Sequence, residues 1–425
     1  MATSISTARL AGFFKDRFGE YDSLLPMDGY ESLQKKIKFK DSKKLGEKLT
    51  FPLRASHSSG WTFAGGSTTG TMFQLNAANS PSTVEATFTS QEFVIREQMS
   101  FKAVQAASSD AQAFADGFDD MVKDLRNSAG FALEFSIFYG GSDLGTISST
   151  PSGSGTDRVY ALTKASTSPG LWYKMQGVLF DVYTAAGGSK LNPDDHVVVV
   201  SADLDDTTGL VYLTVTGDAT DLTAIDAAIA TGAVMIPKGA ETNWTVGIAA
   251  IANTPTTYGG ITTASYPLFT GTTLSAGNAP LTFRKTLNAQ KRNMLKSGPG
   301  KRTLLCSYAT MADIIDSFSA ISRVDAQKGG KLKLGGDSAE YEMPGGNIEF
   351  MPHVLCKEGE AYMLDFSVFD RIGSTDFTFD PYRRGQYVEP VQGYAGIEVL
   401  GYWDQGLMCR KPSSITKITN ITNTD

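Results

Sequence analysis

The clearest periodic pattern in the chain begins at Ser109, which is placed to cap a helix, with Gln112 three residues on completing a capping-box pattern. Apolar residues then recur at Phe114, Phe118, Met121, Val122, Leu125, Ala129 and Leu133, in steps of three and four, until Gly140 and Gly141 end the run. The spacing predicts one amphipathic helix over 109–139, about 45 Å long at ~1.5 Å per residue. Gly117 and Gly130 inside it each cost ~1 kcal/mol relative to Ala, which marks them as sites of close packing or of a bend.

Upstream, the pattern is different. Residues 56–92 are rich in Gly, Ser and Thr and carry only two formal charges, Glu85 and Glu92, yet include Trp61, Phe63, Met72 and Phe73. Two short β-like runs around a glycine-rich turn predict a long hairpin. An isolated two-stranded hairpin is marginal in water, so these apolar side chains need a cover, either a neighbouring subunit or the chain's own domain. Residues 1–55 read as an arm. A short amphipathic stretch (Leu10, Phe13, Phe14, Phe18) precedes seven lysines between Lys35 and Lys48, Lys35 and Lys36 first, against two acids. Two readings stand: contact with an acidic surface on a neighbouring subunit, or a solvated face.

Downstream of the helix, a SSTPSGSGTD linker leads into a β-rich section at 160–265. Strand-like runs at Val178–Val182, Val197–Val200 and Leu210–Val215, the helical patch LTAIDAAIA and the run AVMIPKG predict a separate small β-domain inserted into the chain. From about 280 the elements alternate. TLNAQKRNMLKSG predicts a helix and RTLLCS a buried strand. YATMADIIDSFSA predicts a helix with Met311, Ile314, Ile315 and Phe318 on one face; NIEFMPHVL and AYMLDF predict strands. The ending, from GYAGIEVLGYWDQ to the polar tail, is strand-like again. The fold class is α+β.

Composition narrows the function classes. The net charge of -7 argues against a dedicated nucleic-acid binder, though not against a container for nucleic acid. Three widely spaced cysteines, Cys306, Cys356 and Cys409, make a disulfide framework improbable and suit synthesis in a reducing cytoplasm. Neither a signal-peptide core nor an apolar run of ~18 residues is apparent, so no membrane association is expected. Catalytic motifs are missing too. His57, His196 and His353 have no second ligand at metal spacing. SGPGKRT resembles a phosphate-binding loop but has Leu295 where a Gly is needed and Arg302 where Ser or Thr should hold magnesium. The acids Asp203, Asp205 and Asp206 have the wrong spacing for a calcium loop. No enzyme, cofactor or metal site is expected.

The order of parts resembles the major capsid proteins of tailed bacteriophages, whose fold is shared with herpesvirus shells and encapsulin compartments. The local resemblance is carried by TPTTYGGITTASYPLFTGTTLSAGN at 254–278, a tyrosine–glycine–glycine then tyrosine–proline segment, by KRTLLCSYATMADIIDS, and by MCRKPSSITKITNIT. It implies a structural, self-assembling shell subunit rather than an enzyme. The implied division is an N-terminal arm at 1–55, an extended loop and start of the peripheral domain at 56–105, and a spine helix of the peripheral domain within 106–159. The inserted β-domain would be 160–265, the axial α/β domain 266–390, and a return to the peripheral domain 391–425. It further implies hexamers and pentamers of an icosahedral phage head, packaged double-stranded DNA held without sequence-specific binding, a scaffolding protein, a portal, a decoration protein, and a location in the virion after assembly in the host cytoplasm. Trp61, Phe63, Met72, Phe73, Lys35 and Lys36 are the expected inter-subunit contacts. Some relatives weld subunits through a loop lysine; this chain has no lysine between Lys48 and Lys102, which implies a shell held non-covalently. Encapsulin-like compartments and, further off, β-rich adhesion proteins are the rival readings.

Overall fold

A computed structural model describes residues 32–40, 48–63, 73–102, 111–148, 152–185, 187–192, 196–205, 209–228, 232–322, 339–341, 346–379 and 388–424. The first element is a short helix, α1 (Ser32–Lys36), which buries Leu33, with Ile37 just beyond it, in the main core. Strands β1 (Leu49–Arg54) and β2 (Thr83–Phe88) pair antiparallel from Leu49↔Phe88 to Arg54↔Thr83. The paired stem of the hairpin thus lies outside much of the glycine-rich stretch. Alternation explains this: Leu49, Phe51 and Leu53 with Val84, Ala86 and Phe88 give the stem one apolar face, which residues 55–63 and 73–82 lack. That outer part is extended chain tied across by single bonds, among them Ala55 N–H to the Ser82 carbonyl (2.8 Å) and the Asn76 amide to the Trp61 carbonyl (2.7 Å).

Strand β3 (Gln91–Ser100) leads towards the long helix α2 (Ala111–Tyr139). The predicted cap, Ser109, lies outside the described residues. Met121 and Leu125 pack with Met99 and Val399, whereas Leu133, Phe135, Ile137 and Phe138 enter the main core. The β-rich section follows as a five-stranded antiparallel sheet in the order β4-β7-β6-β5-β8, made of β4 (Asp157–Thr163), β5 (Leu179–Tyr183), β6 (Val197–Asp205), β7 (Leu210–Thr216) and β8 (Val234–Pro237). Helix α3 (Ala219–Ala228) adds Leu222 and Ile225 to its buried face. This sheet does not keep a core to itself. Val199, Leu213 and Phe180 belong to one continuous cluster with Phe135 and Phe138 of α2, and Phe135 lies 5.0 Å from the Trp244 ring.

The small hairpin β9 (Thr257–Tyr258) and β10 (Ile261–Thr262) precedes a six-stranded sheet in the order β11-β19-β15-β12-β14-β13. Its strands are β11 (Thr272–Ala279), β12 (Arg302–Cys306), β13 (Ala339–Tyr341), β14 (Ile348–Pro352), β15 (Ala361–Leu364) and β19 (Thr416–Ile421), with helices α4 (Phe283–Ser297) and α5 (Tyr308–Ser322) on one face. All five residues of β12 are buried because the sheet is covered on both sides: Leu304 and Cys306 meet the helices' cluster, Leu305 the main core. On α5 the expected face is corrected. Ile314 is buried and Met311 half-buried, but Ile315 is 39 % exposed, since adjacent helical residues point about 100° apart; the Phe318 side chain lies outside the described residues. The last sheet joins β3, β16 (Phe369–Thr378), β17 (Glu389–Pro390) and the fourteen-residue β18 (Gly396–Cys409). The C-terminal stretch therefore divides between two sheets: β18 pairs with β3 and β16, and β19 inserts between β11 and β15.

Candidate assembly surfaces

The outer part of the extended loop has the composition of a buried segment and the exposure of a free one. Trp61 is 71 % exposed, Phe63 91 %, and Phe73 and Leu75 are exposed as well; Met72 lies outside the described residues. Nothing among the described residues covers the two rings.

The root of the loop is held firmly. Phe88 stacks on Phe51 with centroids 5.8 Å apart and meets Tyr258 edge-on at 5.2 Å. Tyr258 opens the two-residue turn of the β9–β10 hairpin, and both turn residues, Gly259 and Gly260, have positive φ (57° and 77°), as a tight hairpin of this hand requires. A Cβ on Gly259 would lie 2.8 Å from the Phe88 ring, and its carbonyl accepts the Thr87 N–H at 2.9 Å. The Tyr258 hydroxyl accepts the Cys409 N–H at 2.8 Å. The tyrosine–glycine–glycine segment thus clasps the loop stem to β18, a role its pattern alone does not reveal.

The arm meets its own chain. The Lys36 ammonium is 2.5 Å from Glu349, which Lys301 also approaches at 3.3 Å, and Lys40 pairs with Asp370. Burial works against the Glu349 carboxylate, but the two lysines outweigh it and hold its pKa below the usual value. Lys35 is exposed. The acid expected opposite Lys36 on a neighbour is therefore found on the same chain.

Sequence reasoning missed the group that seats the arm. Glu134, fully buried on α2, accepts N–H bonds from Leu33 (2.6 Å) and Gln34 (3.0 Å), capping α1 from a hundred residues away. His353 lies behind it: Leu355 N–H donates to Nδ1 at 3.1 Å, which puts the ring proton on Nε2, 3.1 Å from Glu134. The available signal was a lone carboxylate within the apolar run FALEFSIFY.

The segment around Arg302 is a hydrogen-bonded helix end. Arg302, 2 % exposed, donates to Asn293 Oδ1 (2.8 Å), Ser297 Oγ (2.8 Å), the Gly298 carbonyl (3.1 Å) and Asp365 (3.0 Å). The phosphate-loop look-alike is thus a helix end locked by a buried guanidinium. Among the described residues, no group of three or more His, Cys, Asp or Glu could hold a metal, and no helix is long and apolar enough to cross a membrane. The three cysteines are free and buried, and burial pushes the Cys306 and Cys409 thiols up to about 12.

No family model and no curated protein matches the sequence. Solved structures do. A subunit of the cyanophage A-1(L) capsid aligns over 99 % of this chain and 100 % of its own at 11 % identity, with a TM-score of 0.52. The capsid of Myoviridae phage XM1 aligns over 99 % and 100 % at 8 % identity and a TM-score of 0.45. An encapsulin complex from Synechococcus elongatus aligns over 36 % of this chain and 54 % of its own at 11 % identity and a TM-score of 0.26. The cyanophage alignment runs essentially end to end in both chains: the protein has the α+β fold of phage capsid proteins.

Proposed function

We propose that this chain is a structural shell subunit that assembles with copies of itself into the hexamers and pentamers of an icosahedral phage head around double-stranded DNA. The observation that carries the reading is the exposed, uncharged loop with Trp61 and Phe63 on a firmly clasped root. A large aromatic buries ~150–250 Å²; at ~25 cal/mol per Å² each ring contributes on the order of 4–6 kcal/mol to a contact, before association costs. Repeated around a closed surface, such contacts suffice without covalent links. The subunit does no chemistry; a scaffolding protein, a portal and a decoration protein are its further partners, DNA is held without sequence readout, and the shell forms in the host cytoplasm and persists in the virion.

Electron microscopy of the purified full chain tests this. Uniform closed shells are expected from the wild type, and none from Trp61→Ser with Phe63→Ser, at unchanged circular dichroism. Normal shells from the double variant would refute the role of the loop. Shells that hold cargo proteins and no double-stranded DNA in their native source would instead favour an encapsulin-like compartment.

A further inference from the structure

Helix α4 carries Arg284, Lys285, Lys291, Arg292 and Lys296 and no acid, in a chain of net charge -7. Its inner face is polar: the Asn293 amide donates to the Ser414 carbonyl at 2.6 Å and the Gln290 amide to the Gly346 carbonyl at 2.8 Å, while Gln290 Oε1 has no partner among the described residues. Between α4 and the edge strand β11 runs an open groove. Leu274 and Ile418 form its apolar floor, Leu295 stands 79 % exposed at its rim, and Lys285, Lys291 and Arg292 line it. The Lys285 ammonium donates to the carbonyls of Ala276 (2.8 Å) and Pro280 (3.1 Å), which fix its position without neutralising it. Lys291 and Arg292 are exposed, and among the described residues no carboxylate pairs with them. Beyond β11 no further strand is paired among the described residues, so the side of the groove is an open sheet edge.

A floor of aliphatic carbon, cationic walls and an open strand edge fit an acidic peptide bearing apolar side chains. They suit a nucleic-acid backbone less well, since it offers charge but nothing for Leu274, Leu295 and Ile418. This chain holds such a peptide. Residues 16–31, which lie outside the described residues, read DRFGEYDSLLPMDGYE: five acids (Asp16, Glu20, Asp22, Asp28, Glu31) against one Arg17, interleaved with Phe18, Tyr21, Leu24, Leu25, Met27 and Tyr30. The segment joins the described chain at Ser32, where Leu33 and Ile37 are buried in the main core and Lys36 reaches Glu349 of β14. The groove is on the opposite, helix-bearing face of the sheet, at β11. Four strand spacings of ~4.8 Å separate β14 from β11. Within one subunit the attachment point at Ser32 and the groove thus lie on opposite faces of the sheet. We infer that the α4–β11 groove receives the acidic segment 16–31 of a neighbouring copy. The inference rests on the shell reading for the presence of that neighbour.

Two measurements on the full chain test it. Particles reassembled from light and nitrogen-heavy chains are treated with a carbodiimide, which joins carboxylates to amines at contact distance. The expected products link Lys285 or Lys291 to an acid of 16–31, with one light and one heavy peptide in about half of the linked pairs, as random pairing between copies requires. In the second measurement, a fluorescent peptide of residues 16–31 is titrated into the unassembled chain at low salt. Lys291→Glu with Arg292→Glu should weaken its binding about tenfold or more, and a peptide with Asp22→Lys and Asp28→Lys should restore it. Links found only within single-label pairs would overturn the exchange between copies. Absence of both links and peptide binding, or binding indifferent to the reversal, would overturn the groove assignment while leaving the shell reading intact. Peptide binding with the expected charge dependence in a chain that forms no shells would uphold the groove and sink the shell reading.

Discussion

Replacing Glu134 by Ala should free the arm from the body of the subunit. The carboxylate accepts from Leu33 N–H, Gln34 N–H and the His353 ring, all in a site where Glu134 itself is fully buried. Were nothing to move, three donors would be stranded at ~1–3 kcal/mol each, roughly 3–9 kcal/mol in all. Lifting α1 instead gives up the burial of Leu33 and Ile37, worth ~1.5–3 kcal/mol each. It also gives up the half-exposed Lys36–Glu349 pair, worth under ~1 kcal/mol, but returns ~1–2 kcal/mol of chain entropy for every residue released. Release is the cheaper response. The assay is amide hydrogen exchange on the unassembled full chain. In Glu134→Ala the amides of Leu33 to Ile37 should lose protection by about a hundredfold or more, the equivalent of ~3 kcal/mol, while the β12 amides keep theirs. Glu134→Gln retains one carbonyl acceptor and should fall between. Unchanged exchange at Leu33 and Gln34 in the Ala variant would refute the capping role.

Three further outcomes follow from other contacts. Gly259→Val forces a branched residue to φ 57° and drives its Cβ into Phe88; a loss of about 2–4 kcal/mol is expected from denaturant midpoints, and a neutral result would mean that the clasp can shift. With Cys306 and Cys409 pushed up to about 12 by burial and Cys356 raised in the same way, the native chain should show no thiol reactive towards a disulfide reagent near neutral pH, and three in denaturant; one fast thiol in the native chain would contradict the packing. Glu349, held below the usual glutamate value, contributes stability that is fully present above the unfolded-state pKa of ~4.3 and is lost as the pH falls through the lower folded-state value. Arm exchange should accordingly rise on acidification, and Glu349→Gln should remove that part of the pH dependence; identical profiles for the two chains would refute it.

Local pattern alone determined much of this protein. Steps of three and four from Phe114 to Leu133 are enough to make α2, because a helix turns through a fixed angle and needs one apolar stripe. The runs RTLLC and LVYLTVT are strands for the same kind of reason, and Leu295 and Arg302 stand where a phosphate loop needs Gly and Ser or Thr. The low-charge loop with its aromatics was legible as a surface in need of a cover. Register and partners were not legible, because they are set by residues distant along the chain. The hairpin pairs at Leu49–Arg54, where apolar residues alternate, rather than deeper in the glycine-rich stretch. Val199 and Leu213 share their cluster with Phe135 of α2, so the larger apolar cluster of a section with its own strand pattern continues into that helix. Only tertiary packing could place Glu134 beneath α1 and beside His353, 219 residues away, or give Lys36 its partner Glu349, 313 residues on. A charge in a sequence shows that a counter-charge or water must be found; which group supplies it depends on how the sheets and helices close around it.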